Sequence, residues 1–239
     1  MSLFYSFLCV LCDLCGEIFF SLIFRISLYL CGEVQMEKKE GILFIVSGPS
    51  GTGKSTLCRA MLDAFPDLRF SVSHTTRPPR SGDQEGRDYY FVSPQEFQER
   101  IDGGGFVEWA EIYGHRYGTS REMLDKARRE GRDLILDIDG QGARQLREQR
   151  IPGVFAFILP PSLEELKRRL RGRKTEGRRA FEERVKKAQT EISQARFYDY
   201  WVVNDDLPQA RKRLKAIILA ERCRRERHPE ALDKLLVES

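Results

Sequence analysis

Residues 41–57 read GILFIVSGPSGTGKSTL, and no other stretch constrains the fold as tightly. The apolar run 42–46 suits a buried strand and is far too short to cross a bilayer, which takes roughly 20 residues. From Gly48 the chain fits G-x-x-x-x-G-K-[ST], with Gly48, Gly53, Lys54 and Ser55 at the fixed positions and Pro49, Ser50, Gly51 and Thr52 between them. The glycines at 48, 51 and 53 let the backbone curl until its N–H groups converge on an anion. Lys54 brings a mobile positive charge to the outer phosphates, and the Ser55 hydroxyl suits Mg²⁺. The helix expected to begin at Lys54, with Thr56 in its first turn, points the positive end of its dipole at the same place. A chance Gly-rich hairpin would lack the strand before and the helix after. The stretch predicts a nucleoside-triphosphate site.

The remainder of the chain is globular in composition, 239 residues with 41% hydrophobic and 32% charged side chains. The net charge of +4 is uneven. Residues 1–35 carry Arg25 against Asp13, Glu17 and Glu33, so the body holds +6. That excess suits small anionic ligands such as nucleotides and falls short of what nucleic acid demands. Four of the six cysteines (Cys9, Cys12, Cys15, Cys31) lie in the first 35 residues, and Cys58 and Cys223 show no partner spacing, so the body reads as a reduced, cytoplasmic protein.

Residues 1–35 read as an atypical apolar extension outside the fold. No basic residue precedes the apolar stretch as a secretory signal requires, and Asp13 and Glu17 interrupt any spanning helix. Met36 begins an ordinary soluble N-terminus, so a domain over 36–239 is expected, with membrane attachment disfavoured.

Apolar runs alternate with helical patterns through the body. Strands are expected at 69–73, 89–92, 134–138, 154–159 and 201–203, a hairpin at 106–112 and 115–119, and helices after the loop, from Ser93, from a cap at Ser120 or Thr119 to Glu130, over 141–150, from Ser162, through to about 197, and over 208–227. Ser93-Pro94 and Ser162-Leu-Glu-Glu supply start signals, and Gly103 and Gly131 supply stops. Residues 74–88, HTTRPPRSGDQEGRD, read as a polar loop. Strands alternating with helices predict an α/β fold, a parallel sheet covered on both faces, with the hairpin as a separate lobe.

Several separated motifs, SGPSGTGKST, SVSHTTRPPRSGDQEGRDYYFVS, FVEWAEIYGHRYGTS, LDIDGQGA and VVNDD, closely resemble guanylate kinase over about residues 40–223. The resemblance implies a P-loop core (about 40–72, 121–165 and 190–223), a small mixed lobe that binds the nucleoside monophosphate (about 73–120), and a helical lid (about 166–189). It implies transfer of the γ-phosphoryl group of ATP to GMP with Mg²⁺. Small nucleotides are then the partners, with no nucleic acid, and the protein a monomer or homodimer.

Residue chemistry fits these roles. Arg77 and Arg80 offer planar forks suited to a phosphate, on a loop stiffened by Pro78-Pro79, and Tyr89 and Tyr117 can add hydroxyl donors. Glu108, in an otherwise apolar strand, can accept from both N1–H and the N2 amino group of guanine, whereas adenine would face it with a lone pair. The family pattern implies that Ser73, Thr119 and Asp139 join Glu108 at the base. It puts Asn204 near the adenine and Asp137 by the metal, through water. Arg169, Arg173 and Arg184 are the lid arginines it selects from a heavily charged stretch, where they would neutralise the transferring phosphoryl alongside Lys54 and Arg77. Gly172 and Gly177 are expected hinges. His74 stands where the family commonly has serine, beside the base pocket. Two other readings remain at this point. One is a silent guanylate-kinase-like binding module, disfavoured by the intact loop. The other is a related phospho-sugar kinase, disfavoured by Glu108 and the TTRPPR segment.

Overall fold

The computed structural model describes residues 40–171 and 178–230, with 232 and 236. Two compact units divide the chain at Lys38/Lys39, and every described residue lies in the second. The extension 1–35, Arg173 and the expected hinges Gly172 and Gly177 therefore lie outside the described residues.

Strand β1 (Leu43–Ser47) is buried at every residue, and helix α1 (Lys54–Ala64) follows it across the loop. Around β1 stands a five-stranded sheet ordered β2-β7-β1-β8-β9, where β2 is Arg69–Phe70, β7 Leu134–Asp137, β8 Val154–Leu159 and β9 Tyr200–Val203. Every pairing in it is parallel. Alternate residues of β1 feed opposite cores, as the pleat requires. Phe44 and Val46 pack with Leu57 and Met61 of α1 and with Leu214 and Ile218 of α7 (Leu207–Arg222). Leu43 and Ile45 pack with Leu124 of α3 (Arg121–Glu130) and Leu146 of α4 (Gly140–Glu148). Burial on both faces explains why β1, β7 and β8 read as unbroken apolar runs.

A second sheet, ordered β4-β3-β6-β5, forms the separate lobe: β3 is His74–Thr75, β4 Tyr90–Phe91, β5 Phe106–Ile112 and β6 His115–Ser120. Here β5 and β6 make the expected hairpin, turning at Tyr113 and Gly114, both with positive φ. The sheet is mixed because β3 runs parallel to β4 and antiparallel to β6. The first strand of this lobe is a correction to the polar-loop reading of residues 74–88. His74 and Thr75 pair on both sides, so a two-residue strand forms where no alternation announced one. The expected strand at 69–73 shortens correspondingly to Arg69–Phe70.

Helix starts follow their signals. Ser93 and Glu96 complete a capping box at α2 (Pro94–Asp102), and Ser120 caps α3, which ends on Gly131 at φ 67. At α5 (Leu163–Arg171) the box is only half made: Ser162 Oγ accepts from Glu165 N–H, while the Glu165 carboxylate holds Arg168 and Arg169 instead of turning back. Helix α6 (Arg178–Ser193) and a short 3₁₀ turn at Ala195–Phe197 lead to β9. No helix among the described residues is long and apolar enough to cross a membrane.

Candidate active site

The loop after β1 is wound too tightly for side chains at two of its glycines. Gly48 has φ +141, and a Cβ there would lie 2.5 Å from the Ile158 carbonyl oxygen. Gly53 has φ +89, and its Cβ would lie 2.6 Å from Asn204 Nδ2. Thr52 fastens the turn by donating from both its N–H and its hydroxyl to Pro49 O, at 3.3 and 2.8 Å. Behind the loop, buried Asn204 donates from Nδ2 to Thr52 O at 2.7 Å. Lys54 Nζ folds back onto the Gly48 carbonyl at 2.5 Å, with Pro49 O at 3.4 Å.

Two of the three expected arginines reach this loop or its strut. Arg169 Nη2 donates to Asn204 O at 3.1 Å while its Nε holds Glu165 at 2.7 Å. Arg184, buried in α6, donates from Nη2 to Ser50 Oγ at 3.1 Å. Also on α6 is Glu191, which the sequence reading passed over. Burial raises its pKa against the opposing pull of Lys54 and Lys187, the latter 3.9 Å away.

Ser55 Oγ donates to Asp137 Oδ2 at 2.5 Å, joining the start of α1 to the end of β7. The described residues contain no cluster of three or more His, Cys, Asp or Glu able to cage a metal. A hydroxyl and a carboxylate, both hard oxygen donors beside a phosphate loop, suit an ion that completes its shell with phosphate oxygens and water. Magnesium fits that description.

From Ser55 and Asp137 a cleft of about 600 Å³ runs to the small sheet, where Ser73 and Tyr89 line it, with Arg59 and Asp88 at its side. Arg59 and Asp88 meet at 2.8 Å, tying α1 to the loop before β4. In the TTRPPR segment, Arg77 is buried, donates to Asp83 Oδ2 at 2.9 Å and to Pro78 O at 2.8 Å, and stands 5.2 Å from the centre of the Tyr89 ring. Burial works against its charge, but the Asp83 contact more than offsets it and raises its pKa. Asp83 also accepts from the Arg80 backbone N–H at 2.7 Å, so one carboxylate organises the whole turn. The rings of Tyr89 and Tyr117 meet edge to face at 5.7 Å.

Glu108 and Thr119 face each other across the hairpin, and Thr119 Oγ1 donates to Glu108 Oε1 at 2.5 Å. Burial raises the Glu108 pKa to about 7; the Thr119 bond lowers it, and the nearby Asp139 charge raises it. Asp139 caps α4 by accepting through Oδ1 from the N–H groups of Gln141 and Gly142. Its Oδ2 is buried and has no hydrogen-bond partner. His74 is another matter. Its ring turns into the lobe interior, 4.9 Å from Tyr90 and 5.5 Å from Phe106, and burial lowers its pKa to about 4. It packs there as a neutral ring, and the cleft lining includes Ser73 without it.

The structure thus brings Gly48 to Ser55, Asp137, Asn204, Arg169 and Arg184 to the loop, and Glu108, Thr119 and Asp139 to the junction of the small sheet with α4. Thr56 is exposed on α1. Beyond Glu191 and Asp83, the sequence reading missed Gly142 and Gln145 of α4 and Gln149, which caps its C-terminal end. Of these only Gly142 carried a signal, as part of the quoted LDIDGQGA.

Comparison with known proteins agrees with this geometry. The family model described as guanylate kinase matches residues 40–221. A guanylate kinase from Geobacter metallireducens is 54% identical over 187 residues, covering 78% of this chain and 92% of that protein. One from Geobacter sulfurreducens is 52% identical over 198 residues, covering 83% and 98%. Among solved structures, guanylate kinase from Anaplasma phagocytophilum superposes with a TM-score of 0.65 at 34% identity, covering 81% of this chain and 96% of that one. A phosphate loop on a parallel sheet, a mixed second sheet with a buried carboxylate, and relatives matched over nearly their whole length place the chain in the guanylate kinase family.

Proposed function

We infer that this chain transfers the γ-phosphoryl group of ATP to GMP, giving ADP and GDP, with Mg²⁺ as the metal. The observation that carries the reading is the shared cleft: Ser55 and Asp137 from beside the phosphate loop line it together with Ser73 and Tyr89 from beside the small sheet. Donor and acceptor chemistry then meet in one space, as direct transfer requires.

Each group has a task in this reading. The loop from Gly48 to Thr56 holds the ATP phosphates through backbone N–H groups, and Lys54 exchanges its carbonyl partners for phosphate oxygens. Asn204 keeps the loop in register from the adenine side. Ser55 holds the metal, with Asp137 orienting its water. When bound, magnesium neutralises charge on the phosphates. Arg77 and Arg80, with Tyr89 and Tyr117, grip the GMP phosphate, while Glu108, Ser73, Thr119 and Asp139 read the guanine edge. Arg169, Arg173 and Arg184, on the lid segment 166–189, balance the charge that spreads over the transferring oxygens. Closure of that segment excludes water, which would otherwise take the phosphoryl group. The chemistry needs positioning and charge more than a base, so neutral His74 has no step to perform. A cytoplasmic setting, with free Cys58 and Cys223, suits these substrates.

Neither alternative is favoured. A silent binding module has no use for a complete phosphate loop, and a phospho-sugar kinase has none for the buried Glu108. ADP formation by the full chain tests the reading. It should require GMP and vanish in Lys54→Ala with the fold intact by circular dichroism. ADP released equally without GMP would contradict it.

A further inference from the structure

Strand β5, which carries Glu108, is an edge strand, yet its outer edge is not left open. Gln145 of α4 accepts from the Trp109 N–H at 3.1 Å and donates back to the Trp109 carbonyl at 2.6 Å. One turn on, Gln149 donates from Nε2 to the Val107 carbonyl at 2.8 Å. Two side-chain amides thus replace the missing neighbour strand at the residues on either side of Glu108. The register of β5 against β6 shifts between Phe106 and Glu108, a bulge that re-aims the side chains at this point. Val107 is 1% exposed and packs into the main core with Leu124 and Leu146, which fastens the bulge from below. Gly142 completes the seat: a Cβ there would lie 2.1 Å from Glu108 Oε2, so α4 has a bare backbone where the carboxylate rests.

We propose that Gln145 and Gln149 are positioning residues for guanine selection: they clip the Glu108 strand to α4 and fix the carboxylate over Gly142. The proposal rests on the reading of Glu108 as the guanine acceptor. Neither glutamine is assigned a contact with nucleotide. Their effect passes through Glu108, because a carboxylate that must meet two donors at once tolerates little displacement. Without the clips, β5 is held to α4 by the packing of Val107, and Glu108 gains room to shift.

The test is a double-mutant cycle in the full chain, with Gln145→Leu/Gln149→Leu, Glu108→Gln and all three changes together. In the Glu108 background the clip variant should raise KM for GMP on the order of ten-fold, about 1.4 kcal/mol, with KM for ATP and kcat at saturating GMP held within about two-fold. In the Glu108→Gln background the same pair should add less than about two-fold, because the effect travels through the missing carboxylate. A purely structural role would give additive losses, or lower kcat and raise both KM values together. Either result overturns the proposal, as does an unchanged KM for GMP. Should the double variant fail to fold, Gln149→Leu alone removes one part-buried bond and carries the same comparison. If Glu108→Gln by itself leaves KM for GMP unchanged, the underlying reading falls and takes the clip with it. If Glu108→Gln is damaged and the clip variant is not, only the clip falls.

Discussion

Thr119 gives its hydroxyl hydrogen to Glu108 Oε1 at 2.5 Å inside the small lobe, with both residues buried. Burial holds the Glu108 carboxyl at a pKa of about 7 where its ordinary value is 4.5. Reading guanine needs the ionised form, which accepts two hydrogens. Lowering the pH below 7 should therefore raise KM for GMP by up to about ten-fold per unit until binding is lost. Stability runs the other way. Between about pH 4.5 and 7 the folded chain keeps a proton that the unfolded chain releases, so this group stabilises the free protein as pH falls. Initial rates at several GMP concentrations from pH 6 to 8 check the first point, and a flat KM would contradict it.

Asn204 spends its amide on Thr52 O behind the phosphate loop. Asn204→Leu removes that donor from a buried carbonyl, at a cost of about 1–3 kcal/mol, and loosens the loop. Thermal melting should fall by several degrees, and KM for ATP should rise about ten-fold with KM for GMP little changed. Equal effects on both substrates would assign Asn204 some other role.

Gly48→Ala puts a methyl group against the Ile158 carbonyl in a backbone conformation that alanine rarely adopts. Strain of about 1–3 kcal/mol, plus the shift needed to relieve the contact, should lower the melting temperature and abolish ATP binding. Gly104→Ala is the control: it also has positive φ but open space around it, and it should cost stability without loss of ATP affinity.

Ser55→Ala removes the hydroxyl that meets Asp137 at 2.5 Å. The Mg²⁺ concentration for half-maximal activity should rise at least about ten-fold, while GMP affinity measured without ATP stays the same. Chelation of the metal should stop turnover in the unchanged protein, and addition of Mg²⁺ should restore it.

The core was legible because its signals are local. LFIVS before three glycines, Ser93 before Pro94 and Gly131 after a charged helix each name their own conformation. His74 and Thr75 were not legible as a strand, since two residues show no period and their pairing partners lie 16 positions away on one side and 44 and 42 on the other. The α4 clips were hidden for a related reason. Gln145 and Gln149 look like any polar face of an amphipathic helix until β5 is seen lying beside them. Arg173 stands by resemblance alone, whereas Arg184 is found beside Ser50, 134 positions away in sequence, a contact that no local pattern encodes.

The central claim is most directly tested by ADP formation from ATP and Mg²⁺ by the purified full chain, with GMP, AMP, CMP and UMP each offered alone. Turnover with GMP at least about a hundred-fold above the other three is the predicted result. Comparable turnover with AMP, or none with any acceptor, would contradict the account.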